Sequence, residues 1–326
     1  MTDLKLGIIG YGDIVKTEHM QNLLKFSNVT ITSVFSKIKE RVRKPKGVPF
    51  YTDYKNMLKN EELDAVLIAT PTHSHKEIAC FCAEQGLHIF LEKPMARTLE
   101  DCDSIIDSIN ENQIKLFVGH VLRFWPTYGS VKNYLDGTEQ KIGEIQAITA
   151  KRLGTFPWSK WFADQSKSGG VTLDLSIHDI DYASWLMGKV TSVSSKAITI
   201  NRHEMDVFGE SLTTLQFENN KKAECEASWA KPTDYVFHTN TRIEGQKGTI
   251  ELDGTRIFNK ELGINNIFSS YSGYYNELEH FFEVLSDKNK KFLVSVQEAK
   301  EAVKICLAAN KSAQGNSKEI FLDDME

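Results

Sequence analysis

The sequence predicts an α/β domain built on a doubly wound parallel sheet, joined to an α+β domain with one large, mostly antiparallel open sheet and flanking helices. Strand-like and helix-like runs alternate up to about residue 120, as strand–helix–strand units of a parallel sheet do. Beyond residue 143, strand-like stretches follow one another with period-two alternation. Leu212, Thr214 and Gln216, set against Thr213, Leu215 and Phe217, are one example. A chain of 326 residues also exceeds a single hydrophobic core. A shift of composition, not a linker, places the domains at 1–120 and 121–326, with the last helix free to pack back on the first domain.

Residues 4–9 form a short apolar run ending at glycine. A helix is expected over 13–26, with Ile14, Leu23 and Leu24 toward a core. The β-branched stretch 29–35 reads as the second strand. Residues 64–69 are apolar throughout, as in a strand buried on both faces. A helix over 76–85 stops at Gly86. A strand at 88–91, a helix at 99–112 and a strand at 114–118 complete the first domain. In the second, strands are expected at 144–152, 190–200, 209–218, 222–229, 235–244 and 248–252, and helices at 175–186, 274–286 and 295–314. Val193, Ile198, Ile200, Leu212 and Leu215 cannot all face one helix layer. A homodimer or homotetramer through that sheet is therefore expected.

Composition narrows the function. Apolar residues are 41% and charged residues 25%, which excludes a disordered or collagen-like chain. Lys and Arg number 39 against 44 Asp and Glu, so no overall basic field favours nucleic acid. No apolar run approaches the roughly 20 residues of a membrane span. The first residues lack the pattern of a signal peptide, and five scattered cysteines read as reduced thiols. A cytoplasmic protein is expected.

The first strand runs into Gly10-Tyr11-Gly12-Asp13-Ile14-Val15. Gly10 and Gly12 match the first two glycines of a dinucleotide-binding turn, between a strand and a helix as that turn requires. Gly10 allows the tight bend, and Gly12 lets main chain approach a pyrophosphate at the helix N-terminus. Tyr11, Asp13 and Ile14 complete the expected contact loop, in a domain of Rossmann type. Val15 stands where a third glycine is usual and widens the helix–strand approach. At the end of the second strand an NAD site usually carries an acid; here stand Ser36 and Lys37. Lys39, Arg41, Arg43, Lys44 and Lys46 follow, with Glu40 the single acid. A hydroxyl and a basic cluster favour NADP over NAD.

Further motifs carry a resemblance. Ala69-Thr70-Pro71-Thr72-His73-Ser74-His75 is followed by Phe90-Leu91-Glu92-Lys93-Pro94. Then come Gly119-His120-Val121-Leu122-Arg123-Phe124-Trp125-Pro126 and a stretch from Gly169-Gly170 through Asp174 and His178 to Asp181. In this order and spacing the chain resembles the Gfo/Idh/MocA oxidoreductases, the glucose–fructose oxidoreductase and inositol dehydrogenase family, over essentially its whole length. Thr72, Val171 and Ser176 depart from the family pattern at packing or cofactor positions. The resemblance implies a nicotinamide-dependent enzyme acting on a sugar or polyol. It implies cofactor contacts from Thr70, Pro71, His75, Glu92 and Lys93, and a cis bond before Pro94.

The reactive trio is expected to be Lys93, Asp174 and His178. Lys93 follows a buried strand at the carboxyl edge of the sheet, where ligands bind in open α/β folds. A partly desolvated lysine exchanges its proton more readily. Asp174 and His178, four apart, share a helix face. The resemblance implies Lys93 or His178 as the proton-transfer group, with Asp174 orienting a hydroxyl; the residues leave both open. Arg123 is expected either to contact substrate or to brace the domains. Trp161, with Trp158 and Phe162, is expected in a loop over the cleft. No zinc-like His/Cys spacing is present and the family uses no metal, so none is expected. Two other classes remain: a dinucleotide-binding sensor without turnover, and a glycosidase-type enzyme that oxidises only transiently.

Overall fold

A computed structural model describes residues 3–37, 47–137, 141–254, 256–258 and 272–325. The first domain has strands β1 (Leu4–Ile9), β2 (Val29–Phe35), β3 (Phe50–Tyr51), β4 (Ala65–Ile68), β5 (His88–Glu92) and β6 (Leu116–Gly119). Its helices are α1 (Met20–Leu23), α2 (Tyr54–Asn60), α3 (His75–Glu84) and α4 (Leu99–Glu111). The strands pair in parallel in the order β3-β2-β1-β4-β5-β6. The order reverses between β1 and β4, and the crevice outside their carboxyl ends is the binding place of such sheets. Every residue of β4 is buried. Burying a leucine or isoleucine fully contributes about 1.5–3 kcal/mol, so Leu67 and Ile68 help anchor the edge that carries the site.

The second domain opens with α5 (Pro126–Asp136), then β7 (Ile145–Thr155), α6 (Gln165–Ser168) and α7 (Ile177–Met187). It continues through β8 (Val190–Arg202), β9 (Met205–Phe217), β10 (Lys222–Lys231), β11 (His238–Gly245), β12 (Thr249–Asp253) and β13 (Arg256–Phe258). The helices α8 (Gly273–Ser286) and α9 (Val296–Gln314) and strand β14 (Ile320–Phe321) close the chain. The sheet order is β13-β12-β11-β7-β10-β9-β8-β14, with β7 and β10 parallel and the other pairs antiparallel. Among the described residues no helix is long and apolar enough to cross a membrane.

Several boundaries differ from expectation. The helix expected over 13–26 starts at residue 13, passes through a π turn at Val15–His19, and ends at Leu23. The strand expected from 235 begins at His238, because the Tyr235 N–H is taken by a turn, donating to Pro232 O at 3.0 Å. α2, α5, β3 and β14 lie in stretches with no strong periodicity. On the second sheet Val193 and Leu215 are buried, while Ile198 (59%) and Leu212 (45%) stay exposed on the opposite face. Around them that face is mostly polar, with ion pairs such as Lys151–Glu226 and Arg242–Glu244.

α8 crosses to the first domain. Tyr275 stacks on Phe26 at 4.7 Å, and Phe281 packs edge-on against Phe90 at 5.7 Å. Asn276 Nδ2 donates to Phe124 O at 2.9 Å. α9 is held by a capping box, Ser295 with Glu298, and lies between the domains. Its Lys300 pairs with Asp103 of α4, and Asn310 Nδ2 donates to Gly169 O at 2.9 Å. One continuous apolar core therefore runs under both sheets.

Candidate active site

Four strand ends build the site. After β1, Gly10 takes φ +103°, and a Cβ there would stand 2.4 Å from Ala69 O. No side chain fits that bend. A Cβ on Gly12 would meet nothing within 4 Å, so its main chain stays open to a pyrophosphate. Tyr11 is buried, Ile14 half-buried and Asp13 exposed. After β4, Ser74 Oγ donates to Thr70 Oγ1 (2.9 Å) and Pro71 O (2.7 Å), shaping the Thr70–Pro71 turn. The residues present thus fit a bound dinucleotide. Ser36, at the end of β2, is buried, and its N–H donates to Tyr51 O at 3.1 Å. Lys37 is exposed. The cluster from Lys39 to Lys46 lies outside the described residues.

After β5 the Lys93–Pro94 peptide is cis. Lys93 Nζ donates to the Asp174 main-chain carbonyl at 2.7 Å and stands 3.4 Å from Asp174 Oδ1. Asp174 lies in a second π turn, Thr172–Ser176, which runs into α7 at Ile177. Gly169 and Gly170, at φ +79° and +72°, bend the chain into that turn. His178 is half-buried, and its Nδ1 has no hydrogen-bond partner among the described residues. Burial pushes its imidazole well below the usual range, and the Lys93, Arg152 and His120 charges push the same way. The ring is therefore neutral at pH 7. The structure brings Lys93, Asp174 and His178 to one edge.

Flanking residues of α7 hold it there. Arg152 of β7 donates to both carboxylate oxygens of Asp179, at 3.0 and 2.8 Å, in buried surroundings. Arg123 donates to both oxygens of Asp181 at 3.0 and 2.7 Å, and to Glu298 of α9 at 2.7 Å. Its donors are committed inside the protein and its partners all lie in the second domain, so Arg123 ties α7 to α9 there. His75 is buried, with Nδ1 2.9 Å from Pro94 O and Nε2 2.9 Å from Thr70 O. It ties the Thr70 turn to the cis-proline turn. Trp161 stacks on Phe162 at 3.9 Å, while Trp158 is 90% exposed.

Sequence reading missed His19 and Arg152. His19 Nε2 lies 2.6 Å from Glu92 Oε1, and the other oxygen of Glu92 accepts the Lys93 N–H at 3.2 Å. Burial alone would raise the Glu92 carboxyl. The His19 hydrogen bond and the His19, Lys93 and His75 charges outweigh it and hold the group below its usual range. An ionised Glu92 only accepts, so the shared proton lies on His19 Nε2. A polar residue on a helix and a lone arginine in a strand gave no signal of these partners.

A glycine-rich first turn and, on the same sheet edge, a lysine anchored on a second domain define a dinucleotide-dependent oxidoreductase. Residues 4–120 match the model of the oxidoreductase family with an NAD-binding Rossmann fold, and residues 131–251 match the GFO/IDH/MocA C-terminal domain. The chain belongs to the Gfo/Idh/MocA oxidoreductase family. It is 28% identical over 340 residues to a scyllo-inositol 2-dehydrogenase (NAD(+)) of Bacillus subtilis (strain 168), covering 98% of this chain and 95% of that protein. A 2,7-anhydro-N-acetylneuraminate hydratase of Mediterraneibacter gnavus is 30% identical over 212 residues, covering 62% of this chain and 54% of that one. The crystal structure of a probable dehydrogenase from Thermotoga maritima superposes with a TM-score of 0.82, at 25% identity, covering 99% of this chain and 100% of that one.

Proposed function

We propose that this chain moves a hydride between a nicotinamide dinucleotide and a carbon of a sugar, polyol or related hydroxyl or carbonyl compound. The observation that carries this reading is Lys93 Nζ, held 2.7 Å from Asp174 O of the second domain, at the same carboxyl edge of the sheet as the Gly10–Gly12 turn. The bound dinucleotide supplies the hydride chemistry. His178, neutral at working pH, accepts the hydroxyl proton, and Lys93 donates a hydrogen bond to the oxygen that loses it. Asp174 holds Lys93 in place.

The pH profile tests the assignment. A base must be deprotonated to act, and the His178 imidazole is depressed. Its kcat/KM should therefore rise with pH through a limb below the ordinary histidine value of about 6.5. His178→Gln should lose that limb together with most of the rate. A limb that survives the substitution passes the proton to Lys93.

NADP is the favoured cofactor, because Ser36 replaces the usual acid and Lys37 follows it. Assayed side by side, NADP should give the higher kcat/KM; a preference for NAD overturns this. The likeness to a hydratase favours a second reading, in which the hydride returns to the product. Reduced cofactor accumulates in the first case and not in the second. Two or four copies pairing through the outer face around Ile198 and Leu212 would cover those side chains, and a monomeric mass by light scattering would count against it. Five unpaired cysteines suit the reducing cytoplasm, a placement that cell fractionation checks.

A further inference from the structure

Beneath the Lys93 turn, α8 carries a carboxyl group into the core. Glu277 is 0% exposed, and neither of its oxygens has a hydrogen-bond partner among the described residues. Buried polar groups are almost always paired. Its carboxyl lies with those of Glu92 and the His19 ring in one cluster, donor atoms within 4.8 Å of one another. Gly119, the register partner of Glu92, lies against Glu277: a Cβ there would stand 3.6 Å from Glu277 Oε2, in ordinary contact. Tyr274 and Phe90 set their rings edge-on to His19 at 5.7 and 5.4 Å and close the cluster to water.

Charge balance decides what the cluster holds. Facing Glu277 are Glu92, His19 and Tyr274, and the Lys93 and His75 charges act on Glu92. The one N–H that His19 directs into the cluster goes to Glu92, and a second buried carboxylate would have no donor. A histidine and two glutamates are also ligands for a divalent cation. Two ligands about 2.1 Å from one tetrahedral cation stand about 3.4 Å apart. The 2.6 Å between His19 and Glu92 is hydrogen-bond length instead.

We propose that Glu277 is a positioning residue for Lys93: it carries a proton, leaves Glu92 as the single carboxylate of the cluster, and so keeps Glu92 on both His19 and the Lys93 main chain. Burial and the Glu92 charge push the Glu277 carboxyl well above its usual range, while Glu92 sits below it, in agreement with that division. The positioning half rests on the role of Lys93 in the reaction above. The protonation half stands on the cluster alone.

Glu277→Gln replaces a protonated carboxyl by a neutral group of the same shape. An acid raised in the folded state stabilises the fold below its unfolded value of about 4.3 and loses that contribution as pH rises toward the folded value. Thermal denaturation between about pH 5 and pH 8 should therefore show the variant at or above the wild-type Tm, with an advantage that grows with pH. Infrared spectroscopy at neutral pH should show the carbonyl stretch of a protonated carboxyl in the wild type and not in the variant. Glu277→Ala should lower kcat about tenfold with KM little changed, and Glu277→Gln should restore it to within about threefold. A Glu277→Gln Tm below wild type, by an amount that shrinks in acid, means an ionised Glu277 and overturns the protonation. Zinc retained by the wild type in native mass spectrometry overturns it as well. Full kcat in a folded Glu277→Ala overturns the positioning role. The Tm and infrared measurements need no substrate, so they decide the proton even if the assigned reaction fails.

Discussion

Lys93→Ala is expected to lower turnover on an identified sugar or polyol by about two to four orders of magnitude, with dinucleotide binding within about threefold of wild type. The loss corresponds to about 3–5 kcal/mol of transition-state stabilisation. The Lys93 and Asp174 side chains keep only 16% and 15% of their surface, so breaking the pair also costs stability, and urea unfolding of the variant separates that cost from the kinetic one. Most of the expected dinucleotide contacts lie away from Lys93, at the Gly10–Gly12 turn and the Thr70–Pro71 turn, so binding and chemistry are expected to separate in the variant. Fluorescence titration of the reduced cofactor and single-turnover kinetics measure the two parts. Activity that persists in Lys93→Ala removes the residue from the chemistry.

Asp179→Ala should be the most damaging single change to stability, at about 3–5 kcal/mol. It strips both acceptors from Arg152, whose side chain is 7% exposed, and leaves an uncompensated guanidinium in the core. Against a total stability of about 5–15 kcal/mol, that brings the fold near its limit. Urea unfolding measures the loss. Replacing both members, as Arg152→Met with Asp179→Leu, should cost much less, because no charge is then stranded. A single-variant loss below about 1 kcal/mol would show that the pair is not the brace of α7. The His178 imidazole should also fall further in Asp179→Ala, since the Arg152 charge that depresses it would lose its counter-ion.

Much of this arrangement is legible along the chain. β1, β4, β5 and β6 are short apolar runs, buried because a parallel sheet covered on both faces admits little else. Gly10 and Gly12 announce the phosphate turn, and the Glu92-Lys93-Pro94 motif marks the edge where Lys93 stands. These are local signals: a hydrophobic period, a glycine needed at positive φ, a residue just past a strand end. The second domain was harder. The parallel β7–β10 pair and the edge strands β3 and β14 depend on partners far away in sequence, and two-residue strands carry no period to read.

By itself the sequence determined the strand–helix alternation and the glycine turn, which depend on side-chain size, backbone freedom or spacing within one element. It singled out Lys93, Asp174 and His178 as the expected trio only through motifs shared with the family. Only the tertiary structure decided which neighbouring polar residues of α7 do what. His178 lies within the influence of the Lys93 charge, while Asp179 and Asp181 turn to Arg152 and Arg123. It likewise decided that Arg123 braces and that His75 ties two turns together. Only the fold brings Glu277 from α8 beneath Glu92. Burial and charge partnership are properties of surroundings assembled from distant segments, and they set whether a carboxyl group is an ion or an acid.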